Sequence, residues 1–334
     1  MVSRSQEEAK AAREAVASAS ASDAEKAEML MEIAMGMQQK PKSLDDLIEA
    51  IKLYDDAVHL CPETEGLLSA RIKARMATAQ MSVPSNDPGY LEGARDSMNS
   101  ALEALRIQVT SEEVAEAEMN LGLILQNLAS YNRAPITDSI SAYQRSLRTF
   151  NAQKHPAEFA ILQNNLATAF MSIPFSDERS KMREALAVQA FEEGLKVVTI
   201  VDNPSEYAML QNNLGNALQY VSSSHRVENG FRAIEAYDEA LRVRTLEDTP
   251  AEYANTISNK ANCIANLPDD PENPEAGNPE NLKEAIRLYR EARSVFNKLG
   301  DIHKVEAVSG ALEELETEMF GSSQPLSNVH KINQ

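Results

Sequence analysis

Gln211-Asn212-Asn213-Leu214-Gly215-Asn216-Ala217-Leu218 decides the fold, because the chain repeats it. Forty-eight residues upstream stands Gln163-Asn164-Asn165-Leu166-Ala167-Thr168-Ala169-Phe170, and downstream, in register, Ser258-Asn259-Lys260-Ala261-Asn262-Cys263-Ile264. Each copy follows a Pro-x-Glu-aromatic-Ala opening, at Pro156 to Ala160, Pro204 to Ala208 and Pro250 to Ala254. A second signature alternates with the first: a small residue, a large residue four positions later, and another small residue three beyond that. It runs Ala50/Tyr54/Ala57, Ala94/Met98/Ala101, Ser139/Tyr143/Ser146, Ala187/Phe191/Gly194, Ala233/Tyr237/Ala240 and Ala285/Tyr289/Ala292. The large residue returns at steps of 44, 45, 48, 46 and 52 residues, so the chain is a repeat array.

The spacing says how such a unit packs. Small residues one helical turn on either side of a large one let two helices approach while the large side chain fills the gap. The first helices carry their own small residue at Ala77, Gly122, Ala167, Gly215 and Ala261, each 23 or 24 residues after the anchor of the preceding unit. Glycine inside a helix costs about 1 kcal/mol relative to alanine. A backbone packed closely against another helix at Gly122 and Gly215 would offset that.

Helix ends are legible as well. Asn203 and Thr249 precede Pro204 and Pro250 as N-caps, with Glu206 and Glu252 in the first turn. Thr110 with Glu113 forms the same box without proline, whereas His155 before Pro156 is a poor cap. Gly300 marks a helix stop. Ahead of the repeats, Ser5–Ala17 reads as a weakly amphipathic helix. Asp23–Gln39 reads as a helix apolar on most sides through Met29, Leu30, Met31, Ile33, Met35 and Met37, which needs cover from the first helix or from a partner. The joint Leu267 to Glu284, with four prolines and six acids, reads as an exposed loop, and Asp301–Met319 as a closing helix.

Composition agrees with an all-α chain: 334 residues, 43% apolar, no Trp, few Gly and Pro. The formal charge of −19 disfavours nucleic acid and anionic membranes and suits a cationic protein segment better. Cys61 and Cys263 make neither a metal spacing nor a disulfide framework. The N-terminus lacks the apolar segment of a secretory signal, and no run approaches the roughly 18 apolar residues of a membrane span. The chain reads as cytoplasmic. Its five scattered histidines, with no phosphate loop, dinucleotide fingerprint or metal cluster, read as non-enzymatic and cofactor-free.

Asn-Leu-Gly-x-Ala-Leu followed by Ala-Ile-x-x-Tyr-x-x-Ala-Leu resembles the tetratricopeptide repeat, in the long-unit variety found in bacterial proteins. The resemblance implies a right-handed superhelical solenoid of about six helix pairs over residues 22–319 with a C-terminal capping helix. A helical or flexible extension over 1–21 precedes it, and a disordered tail over 320–334 follows. It also implies a concave groove lined by first helices, where a protein segment binds.

The candidate site is a polar stripe. Asn255, Asn259, Asn262 and Asn266 fall within about 60° of one another on one helix face. Asn120, Asn165, Asn213 and Asn259 would form one column on successive first helices, and Asn216 and Asn262 an outer one. Amides there can serve a bound peptide backbone without regard to its side chains. The lysine with which family members clamp a terminal carboxylate is missing; Met119, Asn164, Asn212 and Ser258 stand in its place. The rival reading is a structural protein that self-assembles into a homo-oligomer on the same solenoid.

Overall fold

The computed structural model describes residues 3–173, 178–221, 225–273, 275 and 277–320. The tail expected over 320–334 lies beyond them from 321 onward, and residues 174–177, 222–224, 274 and 276 of three joints lie outside them too. The described residues form fourteen helices and no strand. The chain divides after Ile173 into two compact units.

The first unit runs α1 (Arg4–Ser18), α2 (Asp23–Gln39), α3 (Leu44–Leu60), α4 (Gly66–Met81), α5 (Gly89–Gln108), α6 (Ser111–Ser130), α7 (Ile136–Ser146) and α8 (Pro156–Met171). The second runs α9 (Glu178–Leu195), α10 (Pro204–Tyr220), α11 (Arg226–Leu241), α12 (Pro250–Ala265), α13 (Pro279–Leu299) and α14 (Ile302–Phe320). Within each unit the helices after α1 pack mainly on their neighbours in sequence, as a repeat array requires, whereas α1 packs more on α3 than on α2. Helix α1 is part of the core: Ala9 and Val16 are buried with Ala27, Leu30, Met31 and Ala34 of α2 and Tyr54 of α3. That covers one side of α2 and leaves Met29 and Ile33 at the surface.

The anchors Tyr54, Met98, Tyr143, Phe191 and Tyr237 are completely buried and Tyr289 nearly so. The glycine positions are explained by the second helix of the same unit rather than by the preceding one. A Cβ on Gly122 would lie 2.4 Å from Tyr143 Cε1, and one on Gly215 2.6 Å from Tyr237 Cε1. The ring therefore lies on bare backbone. Its hydroxyl is satisfied one turn further along the first helix: Tyr54 donates to Gln38 (2.8 Å), Tyr143 to Gln126 (2.8 Å) and Tyr237 to Gln219 (3.1 Å). A buried hydroxyl without such a partner would be costly. Where the anchor is Met98 or Phe191, the residue at the glutamine register is Met81 or Met171. A second buried polar group, Glu118 of α6, sits between Arg106 of α5 (2.5 Å) and Arg145 of α7 (2.8 Å).

The turns into α8, α10 and α12 share one geometry that the cap assignment missed. His155, Asn203 and Thr249 occupy the cap position with nearly identical dihedrals (φ −136, −138 and −136°), yet none caps its helix with a side chain. Thr110 before α6 does not either. The turn is held instead by the residue five before each proline. Asn151 Oδ1 accepts from the backbone N–H of Gln153 and Lys154 (3.2 and 3.1 Å), Thr199 Oγ1 from Val201 and Asp202 (3.3 and 3.1 Å), and Thr245 Oγ1 from Asp248 (3.0 Å). Such local bonds fix the chain direction before the helix begins, and at Thr249 the hydroxyl joins them by accepting from the Thr245 N–H at 3.2 Å instead of capping its helix.

At the long joint, Leu267 is buried while residues 269–273 are exposed. Asp269 closes the joint by accepting from the backbone N–H of Glu280 and Asn281 (2.9 and 2.8 Å). Helix α13 accordingly begins at Pro279. Gly300 is left-handed (φ 74°), and the Asp301 N–H reaches back to Phe296 O at 3.0 Å, a Schellman-type stop.

Candidate functional site

The candidate asparagines lie on first helices at two registers, two residues before the small residue and one after it. In the second unit the structure brings three amides together. Asn259 Nδ2 of α12 donates to Asn212 Oδ1 of α10 at 3.2 Å, and Asn212 Nδ2 donates to Asn213 Oδ1 at 2.9 Å. Asn213 and Asn259 are thus linked through Asn212, which is buried, while both keep part of their surface open. Asn216 and Asn262 are half-buried and each meets a tyrosine: Tyr237 donates to Asn216 Oδ1 at 2.7 Å, and Asn262 Nδ2 donates to the Tyr220 hydroxyl at 2.7 Å. Tyr220 is 63% exposed, so the Asn262–Tyr220 pair stands at the surface. Asn266 donates to the carbonyl of Asn262 at 2.8 Å, which turns its amide back onto its own helix.

In the first unit Asn120 of α6 is half-buried and Asn165 of α8 only 7% exposed. Asn164 Nδ2 donates to Asn165 Oδ1 at 3.2 Å, but Asn165 Nδ2 has no acceptor among the described residues. The register gives the reason. Asn259 finds its acceptor three positions before the small residue of the previous first helix, at Asn212; the corresponding residue for Asn165 is Met119, whose thioether is a poor acceptor. A hydrogen bond does cross this seam, from Gln126 Nε2 to Thr168 Oγ1 at 3.2 Å.

A feature the stripe reading missed lies between α4 and α6, a cleft of about 210 Å³ floored by Met98 and Leu105 of α5. It exists because both helices carry alanine where the other first helices are mostly larger. Ala74 stands at the register of Met119, Asn164, Asn212 and Ser258, and Ala117 at that of Ile72, Leu162, Leu210 and Thr256. Its rim holds Arg71, Arg75, Thr78, Glu113, Glu116 and Asn120. Arg71 grips Glu113 in a two-pronged ion pair (2.8 and 3.0 Å), which holds the Glu113 carboxyl below the ordinary range. Arg75 occupies the asparagine-column register on α4. It has no ion-pair partner among the described residues and rests on Met35 Sδ at 2.9 Å. Alignment of the repeats on their small residues would have found this cleft, since two facing departures toward alanine mark it.

Cys263 is buried against the carbonyl of Gly230 (3.4 Å), and burial pushes its thiol up to about 11. That is the wrong direction for a nucleophile. No described helix is long and apolar enough to cross a membrane.

No protein-family model and no curated protein matches the sequence. Among solved structures, the chain is similar to a signal-transduction ATPase with a tetratricopeptide repeat sensor from Pyrococcus horikoshii, at 12% identity and a TM-score of 0.53. The match covers 89% of this chain but only 42% of that longer one. BtubC from P. vanneervenii matches over 92% of this chain and 98% of its own, at 15% identity and a TM-score of 0.45, too loose a likeness to argue from. At this level of identity the likeness speaks to fold alone, and the fold it shows is a tetratricopeptide-like helical repeat.

Proposed function

We propose that this chain is a non-enzymatic scaffold that binds a protein segment across its first helices. The observation that carries the reading is the half-buried, uncharged amide surface at two registers: Asn120 in the first unit, and Asn213, Asn216, Asn259 and Asn262 in the second. Charged residues could serve an ordinary solvated face, whereas amides donate and accept together and suit a peptide backbone. Asn165 belongs to the same column, but at 7% exposure it offers a partner little surface. The likeness to a tetratricopeptide sensor supports an interaction role, and the charge of −19 favours partners that are not themselves strongly acidic. The reading places the protein in the cytoplasm.

The test is photo-crosslinking. A photoreactive residue at Asn262 or Asn213, compared with one on the exposed second-helix position Glu235, is exposed to lysate and the adducts are identified by mass spectrometry. Adducts confined to the first-helix positions support the reading; equal labelling from Glu235 refutes it. If the adducts are this chain itself and mass in solution rises with concentration, self-assembly is the function instead.

A further inference from the structure

We propose that the α4–α6 cleft is an anchor subsite for one large apolar side chain of a bound segment, flanked by an acid on the α4 side and a base on the α6 side. The inference rests on the reading above and names the partner chemistry. Three observations carry it.

The first is size. At about 210 Å³ the cleft is smaller than the roughly 300–1,000 Å³ of small-molecule sites. One leucine, methionine or phenylalanine side chain is the natural occupant.

The second is construction. The hollow is made by two facing alanines at registers where most other first helices carry larger side chains, over a floor of Met98 and Leu105. Methionine adapts to the shape of what it meets.

The third is charge. The α4 rim presents Arg71 and Arg75 and the α6 rim Glu113 and Glu116. The Arg71–Glu113 pair neutralises itself, which leaves Arg75 and Glu116 without ion-pair partners among the described residues. A segment that places a carboxylate at Arg75 and an ammonium or guanidinium at Glu116 matches both. Its charges cancel, so the field of a chain at −19 neither attracts nor repels it strongly.

The probe is a set of capped synthetic heptapeptides in which a central Phe, Leu, Met or Ala is flanked two residues away by Asp and Lys, in both orders. Binding is read by fluorescence anisotropy on the full-length protein. One order binds with the large side chains, and central Ala loses about tenfold or more, as truncated interface anchors do. Ala74→Met and Ala117→Leu, which install the side chains of neighbouring repeats, abolish binding while the circular dichroism stays helical. Arg75→Glu weakens the preferred peptide, and exchanging its Asp for Lys restores affinity. Overturning results are affinity unchanged by both filling variants, or no rescue on charge exchange. Failure of every peptide also overturns the subsite, while the crosslinking result judges the wider reading independently.

Discussion

Changing Gly122 or Gly215 to alanine should destabilise the protein, although the same change in an open helix stabilises it. Helix propensity alone favours alanine by about 1 kcal/mol. Against that, the new methyl of Gly122→Ala would lie 2.4, 2.5 and 3.0 Å from Tyr143 Cε1, Cδ1 and Cζ, and that of Gly215→Ala 2.6 to 2.9 Å from the Tyr237 ring. Carbon atoms rest at about 3.5–4.0 Å, so the ring must retreat by about 1 Å. Neither ring has room, since both are fully buried. Retreat also stretches the hydroxyl bonds to Gln126, or to Asn216 and Gln219. Overpacking costs about 1–3 kcal/mol and a lost hydrogen bond about 0.5–1.5 kcal/mol, leaving a net loss of about 1–3 kcal/mol. Gly36→Ala is the control, because nothing lies within 4 Å of its Cβ position, and it should gain about 0.5–1 kcal/mol. Alanine does face tyrosine in two units, Ala34 with Tyr54 and Ala261 with Tyr289, so the cost belongs to position and not to the pair of residue types. The triple change Gly122→Ala, Gln126→Met, Tyr143→Met copies Ala77, Met81 and Met98 and should recover part of the loss. Urea unfolding measures all of these. If Gly122→Ala gained stability as Gly36→Ala does, the account of ring on bare backbone would be wrong.

Alkali should unfold the protein through its buried tyrosines. Burial pushes Tyr54 and Tyr289 up to about 12 and raises Tyr143 and Tyr237 as well. Their stabilisation is therefore complete below the unfolded value of about 10 and is lost as pH rises above it, at about 1.4 kcal/mol per pH unit for each ring; Tyr143→Phe should flatten that slope by one ring's share. Asn262→Ala should leave stability within about 0.5 kcal/mol, since its tyrosine partner is exposed, whereas Asn216→Ala should cost up to about 1 kcal/mol through the Tyr237 hydroxyl; thermal melts that reverse the order refute the assignment. Asp269→Ala should cost about 0.5–2 kcal/mol and speed hydrogen exchange at the start of α13, as loss of a helix cap does; unchanged exchange there would show that the carboxylate is idle. Met119→Asn should couple favourably to Asn165 by about 1 kcal/mol in a double-mutant cycle with Asn165→Leu, because it supplies the missing acceptor; zero coupling refutes the register argument.

The array was legible because its signal is periodic and redundant. The small–large–small spacing around Tyr54, Tyr143 and Tyr237 fixes helix type, pairing distance and core at once, and Gly300 has the single conformation that its position demanded. What escaped depends on which helix faces which. The pairing of Gly122 with Tyr143 rather than with the previous anchor is a matter of three-dimensional order that spacing alone leaves open. The glutamine partners were visible in principle, since Gln appears at 38, 126 and 219 opposite tyrosine and Met at 81 and 171 opposite Met98 and Phe191. The caps misled for a different reason: Asn203 and Thr249 are good capping residues, but Thr199 and Thr245 hold the turns, and the Thr249 hydroxyl faces back to Thr245 instead of forward to its helix.

The amide ladder and one wall of the cleft share one register. Three positions before the small residue, Asn212 supplies the acceptor that ties α12 to α10. At the α6–α8 seam Met119 takes that place and Asn165 is left with an orphan donor. At the α4–α6 seam Ala74 takes it, the following residue is Arg75 instead of asparagine, and a cleft lies between the helices. Where the ladder of amides is present, as between α10 and α12, first helices hold one another through side chains. Where it lapses to small and charged residues, that bond is missing. Sequence variation at this one register therefore alters how neighbouring first helices are joined, and the first unit carries both kinds of lapse.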